Sequence, residues 1–202
     1  SNKLLDKIID TSNYKSLKFI RIHKKESTDF INDNNHLKGT HNAINASIAI
    51  SIAKKLNIND NKIELAIKRF KGLSHRMEQI YVSKDLEIIN DSKSTNGEST
   101  AAALKSFNNI FWIVGGKPKN DGIGEAKKFL DKVVEIFIIG DSTNYFSEEI
   151  LKLNKNIPLN VCVTIENATK LALKKSKISK LKKCVILLSP SAASFDQFKN
   201  FE

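Results

Sequence analysis

"IFWIVGGKPKNDGIGEAKKFLDKVVEIFIIG", residues 110–140, holds two short apolar runs, "IFWIV" and "EIFIIG", with a double glycine and an amphipathic segment between them. Runs of this length read as strands, and "GEAKKFLDKV" reads as a helix joining them. The alternation continues through "YFSEEILKL", "LNVCV" and "ENATKLALKKS" to a last run, "CVILLS". Strands that are apolar throughout and separated by helices predict an α/β fold whose sheet is mostly parallel and covered on both faces.

Upstream the pattern changes near residue 74. The stretch "SHRMEQIYVSKDLEIINDSKSTN", residues 74–96, reads as a hairpin that gathers His75, Arg76, Asp91, Ser92, Lys93, Thr95 and Asn96. Before it, "SLKFIRI" reads as a strand and "ESTDFINDNNH" as a polar connection. Residues 41–56 form a helix, with Ala43, Ala46, Ile50 and Ala53 at spacings of three or four. A second helix, "KIELAIKRF", is expected to stop at Gly72.

Composition excludes several classes. The chain has 202 residues, 41% hydrophobic and 27% charged, and no apolar run approaches membrane-spanning length. The N-terminus lacks the layout of a secretion signal, so a cytoplasmic protein without membrane insertion is expected. Cys162 and Cys184 fall in strand-like runs without metal-site spacing and read as buried thiols, and His23 and His36 have no partner spacing, so no metal site is expected. The net charge of +11 is spread over helix faces among Asn and Ile, which argues against nucleic acid as a partner.

Ligands of parallel sheets gather at the carboxyl ends of strands. Three such ends stand out. "EIINDSKSTN" presents Asp91, Lys93 and Thr95 at alternate positions, which an extended backbone would point the same way. "WIVGGKPKN" turns at Gly115 and Gly116 and offers Lys117 and Lys119. "ILLSPSAASFDQF" leaves through Pro190 to Ser194, where open backbone N–H groups would receive an anion. Each has a plainer reading as a turn, a helix cap or a polar linker; their coincidence at one sheet edge favours an anion pocket.

Five separated segments, "LKGTHNAINA", "FKGLSHRMEQI", "INDSKSTN", "IVGGKPK" and "LLSPSAASFDQFKNFE", resemble the Mur ligases from about residue 37 onward, and within them the members that add D-glutamate. The resemblance implies that residues 1–73 are the tail of a central ATPase domain, a helical and strand remnant. Residues 74–202 would be a C-terminal dinucleotide-fold, Rossmann-like domain, ending just before an Arg-Gly pair. It also implies an amide-forming ligase acting in peptidoglycan synthesis. ATP, UDP-N-acetylmuramoyl-L-alanine and D-glutamate would be its partners, Mg2+ its metal, and a monomer its state. No G-K-[ST] phosphate loop occurs in the sequence. That loop, the magnesium ligands and the UDP-binding domain are expected outside these residues, and the chain alone is expected to be inactive.

By the same resemblance Asn42 and Asn45 approach the adenine of ATP, Asp91 the ribose, and His75 and Arg76 lie at an interdomain hinge where Arg76 reaches the phosphates. Arg76 and Lys93 are the implied catalytic charges. Thr95 and Lys119 would hold one D-glutamate carboxylate, and Ser194, with the backbone near Phe195 and Phe201, the other. The chain departs from the family in "SPSAAS", where relatives often carry "SPACAS", and in Lys117 before Pro118. Another Mur ligase, a folylpolyglutamate synthetase or a non-catalytic nucleotide-binding module would share much of this pattern.

Overall fold

A computed structural model describes Asn34, Leu37 and residues 40–119, 122–194 and 196. The strand expected at 16–22 lies outside the described residues, as does most of the polar connection after it. Two helices come first. Helix α1, Thr40–Lys55, turns Ala46 and Ile50 inward, as the spacing predicts. Helix α2, Asp60–Arg69, begins at Asn59, whose side chain accepts from the Asn61 N–H, and carries Lys68 and Arg69 in its last turn.

The end of α2 corrects the expectation at Gly72. Phe70 is already extended (φ −68°, ψ 118°), and the Asn34 amide donates to the carbonyls of Ile67 at 2.6 Å and Phe70 at 2.7 Å. An asparagine from an earlier segment therefore satisfies carbonyls that a helix terminus leaves open. Gly72, with φ +82°, belongs to the connection that follows.

A hairpin of β1, Glu78–Val82, and β2, Leu86–Asn90, opens the sheet. Then come helix α3, Gly97–Lys105, strand β3, Ile110–Gly115, and the two-residue strand β4, Lys117–Pro118. A 3-10 helix, Gly124–Lys132, leads to β5, Val133–Ile139. Helix α4, Thr143–Leu153, strand β6, Leu159–Val163, helix α5, Ile165–Ile178, strand β7, Cys184–Leu188, and strand β8, Ala192–Ala193, complete the order.

Six strands form one sheet in the order β1-β2-β7-β3-β5-β6, antiparallel only between β1 and β2. The chain moves outward from β2 to β6 through α3, the 3-10 helix and α4, and returns through α5 to place β7 between β2 and β3. A right-handed crossover running back must use the opposite face. Accordingly α3, the 3-10 helix and α4 cover Trp112, Val114, Ile136 and Ile138, while Ala168 and Ala172 of α5 cover Phe111, Ile113, Phe137 and Ile186. Every residue of β3 is buried, which is why its sequence is continuously apolar. Cys162 and Cys184 are buried free thiols on the second face, and burial pushes the Cys162 thiol up.

The 3-10 segment departs from the amphipathic α-helix that its sequence predicts. Gly122 and Gly124 enter it with φ +52° and +46°, and Phe129 breaks the helical dihedrals at φ −123°, ψ 17°. Ile123 and Ala126 are fully buried against α3, so packing and not helical propensity sets the backbone here.

Candidate functional site

Parallel pairing in register decides which loops meet. Strands β2 and β7 pair from Leu86 with Cys184 to Asn90 with Leu188, so both chains leave the sheet side by side. The Asp91 N–H donates to the Leu188 carbonyl at 2.8 Å, and the Ser191 N–H to the Ser94 carbonyl at 2.9 Å. Beside them β3 leaves through Gly115 and Gly116, with φ +133° and +124°. A Cβ at Gly115 would stand 2.0 Å from the Ile139 carbonyl oxygen, and one at Gly116 2.6 Å from that of Ala193. The double glycine thus admits two neighbouring backbones.

The extended path expected for residues 91–95 is corrected. Ser94 N donates to Asp91 O at 2.9 Å, and Lys93 N to His75 O at 3.0 Å, so the chain folds into a turn. That turn still brings Asp91, Lys93 and Thr95 to one cavity of about 670 Å³, between α1, α2 and the start of α3. Asn42, Asn45 and Arg76 line the same space, against apolar groups that include Ala46, Ile67, Phe70 and Met77. The cavity combines an apolar wall, three amides (Asn42, Asn45 and Asn96), two cations and a carboxylate. That set suits a flat heteroaromatic ring attached to an anionic tail.

His75 stands apart from the cavity lining. Its Nδ1 lies 3.0 Å from Asn90 Nδ2, its N–H donates to Glu78 Oε2 at 2.8 Å, and φ is +66°. Met77, at φ +49°, is also left-handed, and the Arg76 N–H closes a turn on Leu73 O at 3.2 Å. The imidazole anchors this strained turn to the hairpin, leaving Arg76 exposed toward the cavity.

Asp91 is 5% exposed, and its carboxylate is engaged from inside the fold. Oδ1 accepts from the Met77 N–H at 3.1 Å; Oδ2 accepts from the Ser94 hydroxyl and, at 3.0 Å, from the Ser189 hydroxyl. The sequence reading missed Ser94, Ser189 and Thr100. Each is a small hydroxyl residue, in a turn, a strand exit and a helix respectively, whose inward direction only the fold reveals.

Lys119 and Ser194 do not line the cavity. Strands β4 and β8 pair Lys117 with Ala193 and Pro118 with Ala192, so Lys119 and Ser194 leave opposite ends of this ribbon. Lys119 is exposed and Ser194 half-buried. The N–H groups expected to stand open after Pro190 are partly taken: Ser191 N serves Ser94, and Ala192 and Ala193 pair with β4. The Ser191 hydroxyl is buried and donates to the Gly122 carbonyl at 3.1 Å, a packing contact. Asp196 Oδ2 accepts from the Asp141 N–H at 3.0 Å, tying the end of this segment to the exit of β5. Phe195 and Phe201 fall outside the described residues.

Among the described residues no group of three or more His, Cys, Asp and Glu is placed to hold a metal ion, and no helix is long and apolar enough to cross a membrane.

No family model matches the chain. Over 166 residues, 82% of its length, it is 40% identical to the UDP-N-acetylmuramoylalanine–D-glutamate ligase of Bartonella henselae, and equally to that of Rhodopseudomonas palustris. The chain spans 35% of the length of each. Its structure is similar to MurF from Acinetobacter baumannii, with TM-score 0.59 and 19% identity over 80% of this chain and 36% of that one. It is also similar to the folylpolyglutamate synthase/dihydrofolate synthase of Yersinia pestis complexed with AMPPNP and Mn ion. There the TM-score is 0.54, with 13% identity over 78% of this chain and 37% of that one. At these identities the structural likeness carries the fold alone.

Proposed function

We propose that the chain, 40% identical over 166 residues to UDP-N-acetylmuramoylalanine–D-glutamate ligases, is part of an ATP-dependent ligase joining D-glutamate to UDP-N-acetylmuramoyl-L-alanine. The observation that carries this reading is the convergence of Asn42, Asn45, Arg76, Asp91 and Lys93 on one cavity. Residues 1–73 are read as the end of a central ATPase domain and residues 74–202 as the C-terminal domain, so the cavity joins the two.

In this reading the purine lies on the apolar wall formed by Ala46, Ile67 and Phe70, with the Asn42 and Asn45 amides along its edge. Arg76 and Lys93 face the phosphates and offset their charge during transfer. ATP passes its terminal phosphoryl group to a carboxylate oxygen of the UDP substrate, giving an acyl phosphate and ADP. The neutral D-glutamate amine then attacks the acyl carbon; the tetrahedral intermediate expels phosphate, and the nitrogen loses a proton to leave an amide. Magnesium, whose ligands are expected outside these residues, would offset phosphate charge when bound. Thr95, Lys119 and Ser194 hold the two D-glutamate carboxylates, which fixes the amine against the acyl carbon.

A folylpolyglutamate synthetase would use a similar fold. The D-glutamate reading is favoured by the 40% identity to ligases of that name, against 13% to the folate enzyme. The test is ATP titration of Arg76→Ala and Asn45→Ala in the whole ligase chain. Both are expected to weaken nucleotide binding by about ten-fold while leaving the KM for D-glutamate unchanged. Unaltered nucleotide affinity in both would remove the assignment.

A further inference from the structure

We propose that Ser189 is a positioning residue whose hydroxyl locks the turn 91–96 and the loop 189–194 into one unit, so that the nucleotide and amino-acid halves of the site are held together. The proposal rests on the reading of those halves given above. Four polar groups meet in the interior: Ser189 and Thr100 are 0% exposed, Ser94 4% and Asp91 5%. Ser189 Oγ lies 3.0 Å from Asp91 Oδ2 and 3.2 Å from Thr100 Oγ1. A hydroxyl has one proton, and an ionised carboxylate can only accept. The Ser189 proton therefore goes to Asp91, and Thr100 donates to the oxygen of Ser189.

This directed chain runs from α3, through the end of β7, to the exit of β2. Asp91 extends it to the turn bearing Arg76 through the Met77 N–H at 3.1 Å. The Ser189 carbonyl is itself fixed, accepting from Trp112 Nε1 at 2.8 Å in the middle of the sheet. Cutting the hydroxyl leaves Asp91 Oδ2 with one fewer donor in a buried site, and removes the partner toward which Thr100 points. Residues on both sides of the cut position substrate groups, so both sides loosen.

The test is Ser189→Ala in the whole ligase chain, read by kinetics and by amide hydrogen exchange at Met77 and Ser191. The KM values for ATP and for D-glutamate are both expected to rise, each by about ten-fold, with faster exchange at both amides. A fall in melting temperature with both KM values and both exchange rates unchanged would reduce Ser189 to packing and overturn the proposal. So would a change confined to one substrate and the amide on its side. Faster exchange at both amides in an enzyme that uses another amino acid would support the lock and discard the D-glutamate reading. Thr100→Val keeps the side-chain volume and cuts only the outer link. It is expected to give the same paired change in smaller measure, and it decides the question if Ser189→Ala does not fold.

Discussion

At the scale of single residues, the buried carboxylate of Asp91 sets the sharpest expectation. A residue chosen only to touch a ribose hydroxyl could be truncated without cost to the fold. Here truncation leaves the Met77 N–H and the Ser94 and Ser189 hydroxyls without their shared acceptor. Hydrogen bonds to a charged group contribute about 1.5–3 kcal/mol, and orphaned buried donors add to the loss. Asp91→Ala is therefore expected to lower unfolding stability by about 2–4 kcal/mol, measured by urea denaturation. A loss within about 0.5 kcal/mol, the usual range for surface changes, would mean that the carboxylate is a ligand group alone. Burial raises the Cys162 thiol pKa, so less thiolate is present at any given pH than for an open cysteine. Alkylation at pH 8 should accordingly label Cys162 slowly until urea is added, as intact-mass measurement would report. Asn42, Asn45 and Arg76 were reached as site residues only through the family resemblance, and Lys93 and Thr95 also as part of a polar strand end; that all five line one cavity follows from packing between segments far apart in sequence. His75 was not legible as an anchor, since its direction depends on a left-handed backbone that no sequence pattern encodes.

Among the elements, β3, β5 and β7 were legible because burial on both faces demands continuous apolar runs. Helix α3 was not. Its segment, "GESTAAALK", opens with glycine and buries mostly small side chains, Thr100, Ala101 and Ala103, with Leu104 as its one large apolar residue. The reason lies in what it meets: a Cβ at Gly97 would stand 2.4 Å from the Ile123 carbonyl oxygen and 2.7 Å from Gly124 Cα. Both contacts are backbone, which cannot swing aside as a side-chain end can. Helical propensity favours alanine over glycine by up to about 1 kcal/mol. Overpacking against backbone costs about 1–3 kcal/mol and decides the sign. Gly97→Ala is thus expected to destabilise the chain, seen as a lower urea midpoint at unchanged slope. A raised midpoint would show that α3 can back away from the 3-10 helix. Strand order was equally hidden, because β7 comes last among the sheet strands in sequence yet lies between β2 and β3.

For the whole molecule, the site is a consequence of four strand exits, β2, β7, β3 and β5, meeting along one edge of the sheet. In the proposed reading the cavity takes the nucleotide, and the β4–β8 ribbon, together with Thr95 of the cavity lining, takes the amino acid. Lys119 and Ser194, at opposite ends of that ribbon, are separated by its two paired positions, which suits a ligand with a carboxylate at each end. A lysine–carboxylate hydrogen bond contributes about 1.5–3 kcal/mol, and each 1.4 kcal/mol is about a factor of ten in binding. Lys119 is exposed, so solvent screening keeps its contribution near the low end of that range. In the whole ligase chain, Lys119→Ala and Ser194→Ala are each expected to raise the KM for D-glutamate by roughly ten-fold, with little change in the KM for ATP. Neither residue lines the cavity, so a matching rise for ATP would mean that the ribbon also shapes the nucleotide side. Unchanged D-glutamate kinetics in both variants would detach the ribbon from substrate recognition, and the two carboxylates would then have to be held elsewhere along the same sheet edge.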